Sequence, residues 1–248
     1  MRISVVIITL NEEKNIAQCL DSVNWADEVI VFDSDSVDRT VEIARSYGAT
    51  VHVESKWYGF GVQKNKATEL AQGDWILSLD ADERVSENLA DEIKNVTSNS
   101  EDLAGIEIPR LSSYCGRFMR YGGWWPDYTL RLFRRGCGNF SENLVHEKMR
   151  VNGKIGRLKN HIIHHSFESV EEVLDKVNKY SSLGAEQMAK NGIKAGISSA
   201  LLHGIAAFVK TYILKGAFLE GRFGLMLSIS NAEGSYYKYL KLMLLKNK

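Results

Sequence analysis

The sequence predicts an α/β fold in which a mostly parallel sheet is flanked by helices and followed by a C-terminal helical region. Between residues 1 and 110, short runs rich in Val and Ile alternate with stretches of helical pattern, which is the arrangement of repeated βαβ units. Polar clusters follow three of these runs. After residue 166 the pattern becomes helical, starting from the capping sequence Ser169-Val-Glu-Glu172.

The individual elements follow from local patterns. Residues 3–10 are nearly all apolar, and many are β-branched, which predicts a strand buried on both faces. Gly48 and Gly73 each end a helical stretch, because glycine readily takes the left-handed conformation after a helix. We expect strands at 28–32, 50–53, 75–79 and 104–110, and helices at 13–23, 38–47, 61–72, 86–96 and 169–191.

The composition excludes several classes of protein. With 44% hydrophobic and 25% charged residues among 248, the chain is a folded globular protein and not a disordered tail, a collagen-like fibre or a disulfide-stapled miniprotein. The three cysteines, Cys19, Cys115 and Cys137, are odd in number, which favours reduced thiols in a cytosolic setting. The first apolar run is too short for a secretory signal.

The charge is distributed unequally. Residues 1–110 hold 10 basic and 21 acidic residues, and residues 111–248 hold 21 basic and 10 acidic ones, so the net charge is zero only for the whole chain. This asymmetry predicts halves with different roles, the second of which faces something anionic. The alternative is a single domain with two differently charged, solvated surfaces.

Asp80-Ala-Asp82 follows the fourth predicted strand. In open parallel sheets, ligands bind beyond the carboxyl ends of the strands. A hard cation such as Mg²⁺ or Mn²⁺ takes oxygen ligands and bridges carboxylates to phosphates, so a metal held here would neutralise a diphosphate leaving group. The alternative is that both acids cap the helix near Ser86, but their position after an apolar strand favours the metal site.

A second acidic cluster, Asp33-Ser-Asp35 with Asp38, follows the second predicted strand. We assign Asp33 to binding, since an acid at this edge accepts hydrogen bonds from a base or ribose in nucleotide-binding folds. Asp38 is assigned to a turn or N-cap. The chain contains neither G-x-G-x-x-G nor a Walker loop, which argues against dinucleotide and P-loop binding.

Three segments carry a family resemblance. Val5-Val-Ile-Ile-Thr-Leu-Asn-Glu-Glu13, Val31-Phe-Asp-Ser-Asp-Ser-Val-Asp-Arg-Thr40 and Gly73-Asp-Trp-Ile-Leu-Ser-Leu-Asp-Ala-Asp-Glu83 resemble the signatures of family 2 glycosyltransferases, which have the GT-A fold. The stretch from Gly122-Gly-Trp-Trp-Pro-Asp127 through Leu130-Arg-Leu-Phe-Arg-Arg135 to Val145-His-Glu147 is similar to the lipopolysaccharide core β-1,4-glucosyltransferase subgroup. The resemblance covers most of the chain and is strongest over residues 1–150.

The resemblance implies an inverting, metal-dependent transfer of a sugar from a UDP-sugar, with UDP-glucose as the expected donor, to a saccharide hydroxyl of the lipopolysaccharide core, a heptose. It implies three segments: 1–110 binds the nucleotide-sugar, 111–166 binds the acceptor, and 167–248 is helical. One departure is Asp33-Ser-Asp-Ser36, where the family usually has Asp-Asp-Gly-Ser, so the acid that contacts the base is left open. The implied donor-site residues are Thr9, Asn11, Glu13 and Asp33 around uridine, Gln63 and Lys64 near the ribose or diphosphate, Asp80 on the nucleotide and Asp82 on the metal.

Inversion also needs a general base. Glu147 is the first candidate and Asp127 the second; for each, a salt bridge to a nearby arginine is the alternative. His146 would orient Glu147 or touch the acceptor. Arg131 and Arg134 are expected on one face of a strand, where they would steady the diphosphate or an acceptor phosphate. Trp124 and Trp125 would stack on sugar rings, although one of them is expected to fill the core.

The C-terminal region suggests a membrane surface. Residues 186–248 hold nine basic and three acidic residues among apolar stretches, as in basic helices that lie on anionic bilayers. Residues 197–219 are long enough to span a membrane, but Lys210 and Lys215 make spanning costly. We expect peripheral attachment at the cytoplasmic face of the inner membrane; packing on the domain or on a second subunit is the alternative, and nucleic acid is not an expected partner.

Other functions are compatible with parts of the sequence. The donor site is equally compatible with a polyprenyl phosphate or another cell-surface glycan as acceptor. Nucleotidyl transfer would need a Gly-rich phosphate loop after the first strand, and a receiver-like module would be about half this length. Processive synthesis would need several membrane spans. His161-Ile-Ile-His-His165 is interpreted as part of a strand and not as a zinc site, since no cysteine is suitably spaced.

Overall fold

The structure is a computed structural model, and it describes residues 1–141 and 148–245. It divides into two compact units, one formed by residues 1–110 and 128–164 and the other by residues 111–127 and 165–248. Residues 128–164 therefore group with the N-terminal segment 1–110. The three functional segments expected from the sequence stay a prediction.

Twelve strands and seven helices lie in the described residues. The strands are β1 Ile3–Thr9, β2 Glu28–Asp33, β3 Thr50–Val53, β4 Trp75–Asp80, β5 Glu83–Val85, β6 Leu103–Tyr114, β7 Arg117–Phe118, β8 Asp127–Arg134, β9 Gly138–Phe140, β10 Met149–Val151, β11 Lys154–Arg157 and β12 Ile162–Phe167. The helices are α1 Ile16–Asp21, α2 Thr40–Ser46, α3 Phe60–Leu70, α4 Glu87–Asn99, α5 Val170–Lys190, α6 Ile197–Val209 and α7 Arg222–Leu245, with a π-helical turn Lys210–Leu214 and a 3₁₀ turn Ala217–Glu220 between α6 and α7.

The main sheet has the strand order β3-β2-β1-β4-β8-β6-β12-β5. Its first four strands are parallel to one another, and β8 joins β4 in the antiparallel direction. A parallel sheet with helical crossovers buries both faces. The mostly parallel sheet predicted from the alternating pattern is therefore present, extended by antiparallel strands that this pattern did not indicate.

Strand β1 shows why the apolar runs form the centre of the sheet. Its side chains alternate between faces, so Val5 and Ile7 pack in one core cluster with Leu77, whereas Val6 packs in the other with Phe133. Each large apolar side chain that is fully buried contributes about 1.5–3 kcal/mol. The expected burial on both faces of this strand is confirmed.

Several element boundaries differ from the expectation, and for the second helix the structure shows the reason. The helix expected at 38–47 begins at Thr40, because the Asp38 carboxylate accepts the backbone N–H of Thr40 at 3.0 Å in the turn before the helix, which is the turn role predicted for Asp38. The helix expected at 13–23 shortens to Ile16–Asp21. Strand β5 was not predicted, since three residues give no measurable periodicity.

The second unit is built on α5 and α7 with α6. The Ser169 hydroxyl accepts the backbone N–H of Glu172 at 3.2 Å, so the predicted N-terminal cap of α5 is confirmed. The His203 and Tyr239 rings stack at 3.8 Å between α6 and α7. The Lys241 ammonium donates to the Asn178 carbonyl oxygen at 2.8 Å and so ties α7 to α5.

The Gly122-Gly123 pair fits closely against these helices. Both glycines have positive φ, 75° and 82°, and a Cβ on Gly122 would lie 2.9 Å from the Leu227 side chain. The Gly122 N–H donates to the Lys215 carbonyl oxygen at 2.9 Å. Glycine is required here both by the backbone conformation and by the close approach.

Candidate active site

The polar clusters meet at the carboxyl edge of the parallel strands. Thr9 and Asp33 are direct neighbours in the pairing of β1 with β2, and Ile8 pairs with Asp80 in the pairing of β1 with β4. The edge is therefore lined by side chains from three adjacent strands. Because these strands are parallel and end at the same edge, the polar clusters that follow the first, second and fourth predicted strands lie together there.

Asp33 is fully buried and holds the turn that follows β2. Its Oδ2 accepts the Thr9 hydroxyl at 2.7 Å and the Ser36 hydroxyl at 2.6 Å, and its Oδ1 accepts the Ser36 N–H at 2.8 Å. Both carboxylate oxygens are thus engaged inside the protein. Asp35, at the tip of the same turn, is exposed and has a positive φ of 67°.

Asn11 and Glu13 hold the next part of that turn by hydrogen bonds to its backbone. The Asn11 side-chain oxygen accepts the Val37 N–H at 2.9 Å, and the Glu13 carboxylate accepts the Arg39 N–H at 3.0 Å. Both residues are exposed. They line the same edge as Thr9 and set the path of the chain between β2 and α2.

Helix α3 brings Gln63 and Lys64 to the edge. Both side chains are buried, and the Gln63 amide donates to the Ser34 hydroxyl at 3.0 Å. Among the described residues, the Gln63 amide oxygen has no hydrogen-bond partner. The Lys64 ammonium lies 3.0 Å from Asp80 Oδ1, so α3 links the turn after β2 to the acid after β4.

Asp80 is held between two cations. The Arg131 guanidinium lies 2.6 Å from Asp80 Oδ2 and 2.6 Å from Glu83 Oε1, and Arg110 approaches the same Glu83 oxygen at 3.4 Å. Glu83 also accepts the backbone N–H of Asp80 at 3.0 Å. Glu83 and Arg131 are buried, which makes this cluster a desolvated ion network.

Charges outweigh burial within this network. Burial alone would raise the pKa of the Asp80 carboxyl, but Arg131 and Lys64 together hold that pKa well below its usual range. Burial likewise disfavours the charged form of Arg131, yet Asp80 and Glu83 raise the pKa of its guanidinium. Asp80 is therefore an anion whose charge is already neutralised by protein cations.

Asp82 differs from Asp80. Its Oδ2 lies 3.3 Å from His164 Nε2 on β12. Its Oδ1 is buried and has no hydrogen-bond partner within residues 1–141 and 148–245. The turn that carries it is held by Arg84, whose guanidinium donates to the Ala81 carbonyl oxygen at 2.7 Å. A buried carboxylate oxygen without a donor is unfavourable unless a cation or a donor completes it.

Negative charge accumulates around Asp82. Burial raises the pKa of the nearby Glu12 carboxyl, a hydrogen bond from Asn15 opposes this, and Asp82, Asp38 and Asp80 raise it further. Sequence reasoning did not single out Glu12. A carboxyl group whose ionisation is opposed by neighbouring acids indicates a local field that attracts cations.

A divalent cation fits this end of the site. Asp82 supplies an oxygen ligand and His164 an imidazole nitrogen, a donor set that Mn²⁺ accepts. In the part of the chain that the structure describes, no group of three or more acidic, histidine or cysteine side chains could hold a metal. Cations of this kind are commonly held by one or two protein ligands, with water and substrate phosphates completing the shell.

The expectation that Arg131 and Arg134 share a face is wrong. Both lie on β8, and residues three apart on a strand face opposite sides. Arg134 donates to the Leu103 and Ser100 carbonyl oxygens at 2.7 and 2.8 Å and lies over the Trp75 ring at 4.8 Å. Only Arg131 of the pair reaches Asp80.

The expected acceptor-side residues lie in the second unit or outside the described residues. The Trp124 ring is partly buried and packs edge-on against Tyr114, with centroids 5.8 Å apart, beside a core cluster of the second unit. Arg120 lies over the Trp125 ring at 5.5 Å, and Asp127 begins β8. His146 and Glu147 fall outside the described residues.

Ser34, Ser36, Glu83 and His164 are among the residues of the first-unit site that the sequence did not indicate. Ser34 and Ser36 had appeared as turn residues, Glu83 as one member of an acidic run, and His164 as one of three histidines. A serine-rich turn between two acids is the local signal for the first two. His164 is 82 positions from Asp82 in the sequence, so no local pattern could have connected them.

Comparisons with known proteins find glycosyltransferases of similar sequence. The sequence model described as "Glycosyl transferase family 2" matches residues 4–151. An uncharacterized glycosyltransferase of Rickettsia typhi is 33% identical over 97% of this chain and 86% of its own length. The lipopolysaccharide core biosynthesis glycosyltransferase LpsC of Rhizobium meliloti is 28% identical over 96% of this chain and 89% of its own length.

A solved structure is also similar. S. aureus TarS 1–349 in complex with UDP-GlcNAc superposes with a TM-score of 0.53, covering 100% of this chain and 93% of TarS 1–349 at 17% identity. At this identity the likeness shows the fold alone, and it confirms the expected GT-A fold. From the family match, the long relatives and the fold together, this chain is an enzyme that belongs to glycosyltransferase family 2.

Proposed function

We propose that this glycosyltransferase moves glucose from UDP-glucose to a saccharide hydroxyl of the lipopolysaccharide core, a heptose, with inversion and with the help of a divalent cation. The observation that carries the proposal is the contrast at the end of β4. Asp80 is neutralised by Lys64 and Arg131, whereas Asp82 keeps a buried oxygen without a partner among the described residues.

The uridine pocket is formed by Thr9, Asn11, Glu13 and the turn that Asp33 holds. Asp33 acts through that turn, because its own oxygens are occupied by Thr9 and Ser36. The exposed Asp35 at the tip is the acid of this cluster that is left to face a base. Gln63, whose amide oxygen has no hydrogen-bond partner among the described residues, accepts a hydrogen bond from the ribose.

The diphosphate lies between Lys64 and Asp82. A cation held by Asp82 and His164 would supply Lewis-acid stabilisation of the departing phosphate when bound. Lys64 shares its positive charge between Asp80 and the substrate. Arg131 fixes Asp80 and Glu83 in place, and this preorganisation keeps the charged edge ready for the diphosphate.

In the transfer itself, the acceptor hydroxyl oxygen forms a bond to the anomeric carbon while the bond from that carbon to the diphosphate oxygen breaks. A carboxylate on the acceptor side takes the hydroxyl proton, and UDP leaves with the electron pair. Glu147 is proposed as this base, with Asp127 as the second candidate. Trp125 and His146 are proposed to contact the acceptor.

The acceptor class rests on similarity. LpsC carries lipopolysaccharide core biosynthesis in its name and aligns along 96% of this chain, which supports a core saccharide as acceptor. Such acceptors are presented on a lipid, so we place the enzyme at the cytoplasmic face of the inner membrane. A polyprenyl phosphate or another surface glycan would use the same donor site.

The donor is tested by calorimetric titration of the full chain with UDP, UDP-glucose and UDP-GlcNAc, each with and without Mn²⁺. We expect uridine nucleotides to bind at least tenfold more tightly with the metal, and UDP-glucose to bind more tightly than UDP-GlcNAc. ADP-glucose is the matched control with a different base. Binding of ADP-glucose in preference to all uridine nucleotides would contradict the proposed donor.

A further inference from the structure

Helix α6 and the two turns after it expose many large apolar side chains to solvent. Seven large apolar side chains of this stretch are each more than half exposed, and Leu214 reaches 76%. We call them the apolar face; its members are Ile197, Leu201, Leu202, Ile205, Ile213, Leu214 and Leu219. Soluble proteins seldom leave so many large apolar side chains together in water.

The opposite side of α6 is packed within the second unit, which fixes the direction of the apolar face. Gly204 lies against Tyr236, with 3.2 Å from an ideal Cβ to the Tyr236 Cβ. His203 stacks on Tyr239 at 3.8 Å, and the Asn231 amide donates to the Thr211 hydroxyl at 3.2 Å. Because α7 occupies that side, rotation of α6 to bury the apolar face would break these contacts.

Cations border the apolar face. Lys194, Lys210, Lys215 and Arg222 are exposed, and between residues 193 and 222 the sequence contains one acid, Glu220. Glu220 is buried; its carboxylate accepts the Arg117 guanidinium at 3.1 Å and the Arg120 N–H at 2.7 Å. Every exposed formal charge along this stretch is therefore positive.

We propose that the apolar face lies in the plane of an anionic lipid bilayer, with its leucines and isoleucines at the acyl boundary and its lysines among the headgroups. Apolar burial and attraction to anionic lipids act together on such a surface. The lysine stems can cover apolar area while the ammonium groups stay in the headgroup layer. A symmetric contact with a second copy would instead bring the same cations toward each other.

The structure favours an in-plane position over a spanning one. By length and composition, one helical stretch within the described part of the chain, Ile197–Leu214, is apolar enough to cross a membrane, with a mean hydropathy of 1.5 over 18 residues. At 1.5 Å per residue its length is about 27 Å, which is short of the roughly 30 Å hydrocarbon core. It contains Lys210 and packs beside α7, which carries Glu233, Lys238 and Lys241, charges that are costly at the bilayer centre.

The same helices hold the segment that is proposed to bind the acceptor. The membrane contact would therefore also serve acceptor binding, and in that respect it rests on the proposed function. The Gly122 N–H bonds to the Lys215 carbonyl oxygen at 2.9 Å. Arg120 and Tyr121 both donate backbone N–H groups to Glu220, at 2.7 and 3.2 Å. Trp125 and Asp127 are thereby anchored to the membrane-facing helices, where a lipid-linked saccharide would arrive.

Vesicle flotation tests the proposal. We expect the full chain to float with vesicles of phosphatidylcholine mixed with phosphatidylglycerol, which is anionic, and to bind vesicles of pure phosphatidylcholine much less. The double variant Leu202→Gln/Ile205→Gln should bind at least tenfold more weakly. The matched control is Val170→Gln/Leu174→Gln, which changes two exposed apolar residues of α5 and should bind like the unchanged protein.

Further readouts separate the alternatives. Sedimentation should show the same monomeric mass for the unchanged chain and the double variant; a dimer lost only in the variant would overturn the proposal in favour of a second copy. Equal vesicle binding by the unchanged protein and the double variant would overturn the proposal as well.

The depth of the helix is measured with Leu202→Trp. We expect the fluorescence of this tryptophan to be quenched by lipids brominated near the headgroup. Quenching only by lipids brominated near the bilayer centre would contradict the in-plane position. UDP binding by the double variant reports on the donor site separately.

Discussion

The sheet edge of the first unit and the outer side of the second unit's helices depart from ordinary burial in opposite directions. At the edge, charged side chains such as Arg131 and Glu83 are buried. On the helices, apolar side chains such as Leu202 and Leu214 are exposed. Soluble proteins usually bury apolar groups and expose charges. Burying charges and exposing apolar groups both cost free energy, and neither is needed for the chain to fold. We therefore assign both regions to binding.

The two regions can also be compared by whether their side chains find partners within the protein. In the ion network of Asp80, Arg131 and Glu83, each charge has an opposite partner within 2.6 Å. Beside it, Asp82 keeps an oxygen that no described residue contacts by a hydrogen bond. The apolar face resembles Asp82 in this respect, since the described residues of its own unit leave it exposed. We therefore expect ligands at groups that the described residues leave without a partner, and not at every charged or apolar group.

The largest expected effect comes from removing the central cation of the edge. Arg131→Met should destabilise the protein by about 3–5 kcal/mol, because the fully buried Glu83 carboxylate would keep only Arg110 at 3.4 Å and Asp80 would keep only Lys64. Urea unfolding followed by circular dichroism measures this change. The matched control is Arg157→Met, which removes an exposed arginine 2.6 Å from Glu107 and should cost less than about 1 kcal/mol. Equal losses would show that the buried network is no stronger than a surface pair.

A smaller effect depends on pH. The pKa of Asp80 is lowered in the folded protein, so its charge stabilises the fold above the unfolded value of about 3.9, and this stabilisation is lost as pH falls toward the folded pKa. Unfolding of the unchanged protein and of Asp80→Asn should therefore differ most at neutral pH and converge below about pH 4. A difference that grew with acidification would have the wrong sign for this account.

The smallest effect is expected on the apolar face. Leu202→Gln/Ile205→Gln should change the free energy of unfolding in the absence of lipid by no more than about 0.5 kcal/mol per site, because both side chains are already in water. The same urea titration measures it. A loss of several kcal/mol would mean that these side chains are buried in the free protein, and the contrast between the two regions would fail.

Much of the fold could be predicted from the sequence because its signals are local. The apolar run of β1 and the capping serine of α5 act within a few residues, and both were placed correctly. Strand β5, with three residues, was too short to produce a pattern. Arg131 and Arg134 were assigned to one face although the period of a strand already separates them.

The site was predicted in outline and not in its internal contacts. That Thr9, Asp33 and Asp80 meet follows from the parallel strands. The contact of Asp33 with Ser36 depends on turn geometry. The difference between Asp80 and Asp82 depends on their neighbours Arg131 and His164, which are distant from them in sequence. Pairings of this kind have no local signature, so only the three-dimensional arrangement distinguishes the two acids of Asp80-Ala-Asp82.

The central claim is that Asp82, and not an acid elsewhere on the first unit, recruits the cation that strengthens donor binding. Calorimetric titration with UDP, with and without Mn²⁺, is compared for the unchanged protein, Asp82→Asn and the control Asp91→Asn, which alters an exposed acid on α4. We predict that Asp82→Asn loses the Mn²⁺-dependent gain in UDP affinity and keeps its folded stability, whereas Asp91→Asn keeps both. An undiminished Mn²⁺ effect in Asp82→Asn would contradict the account.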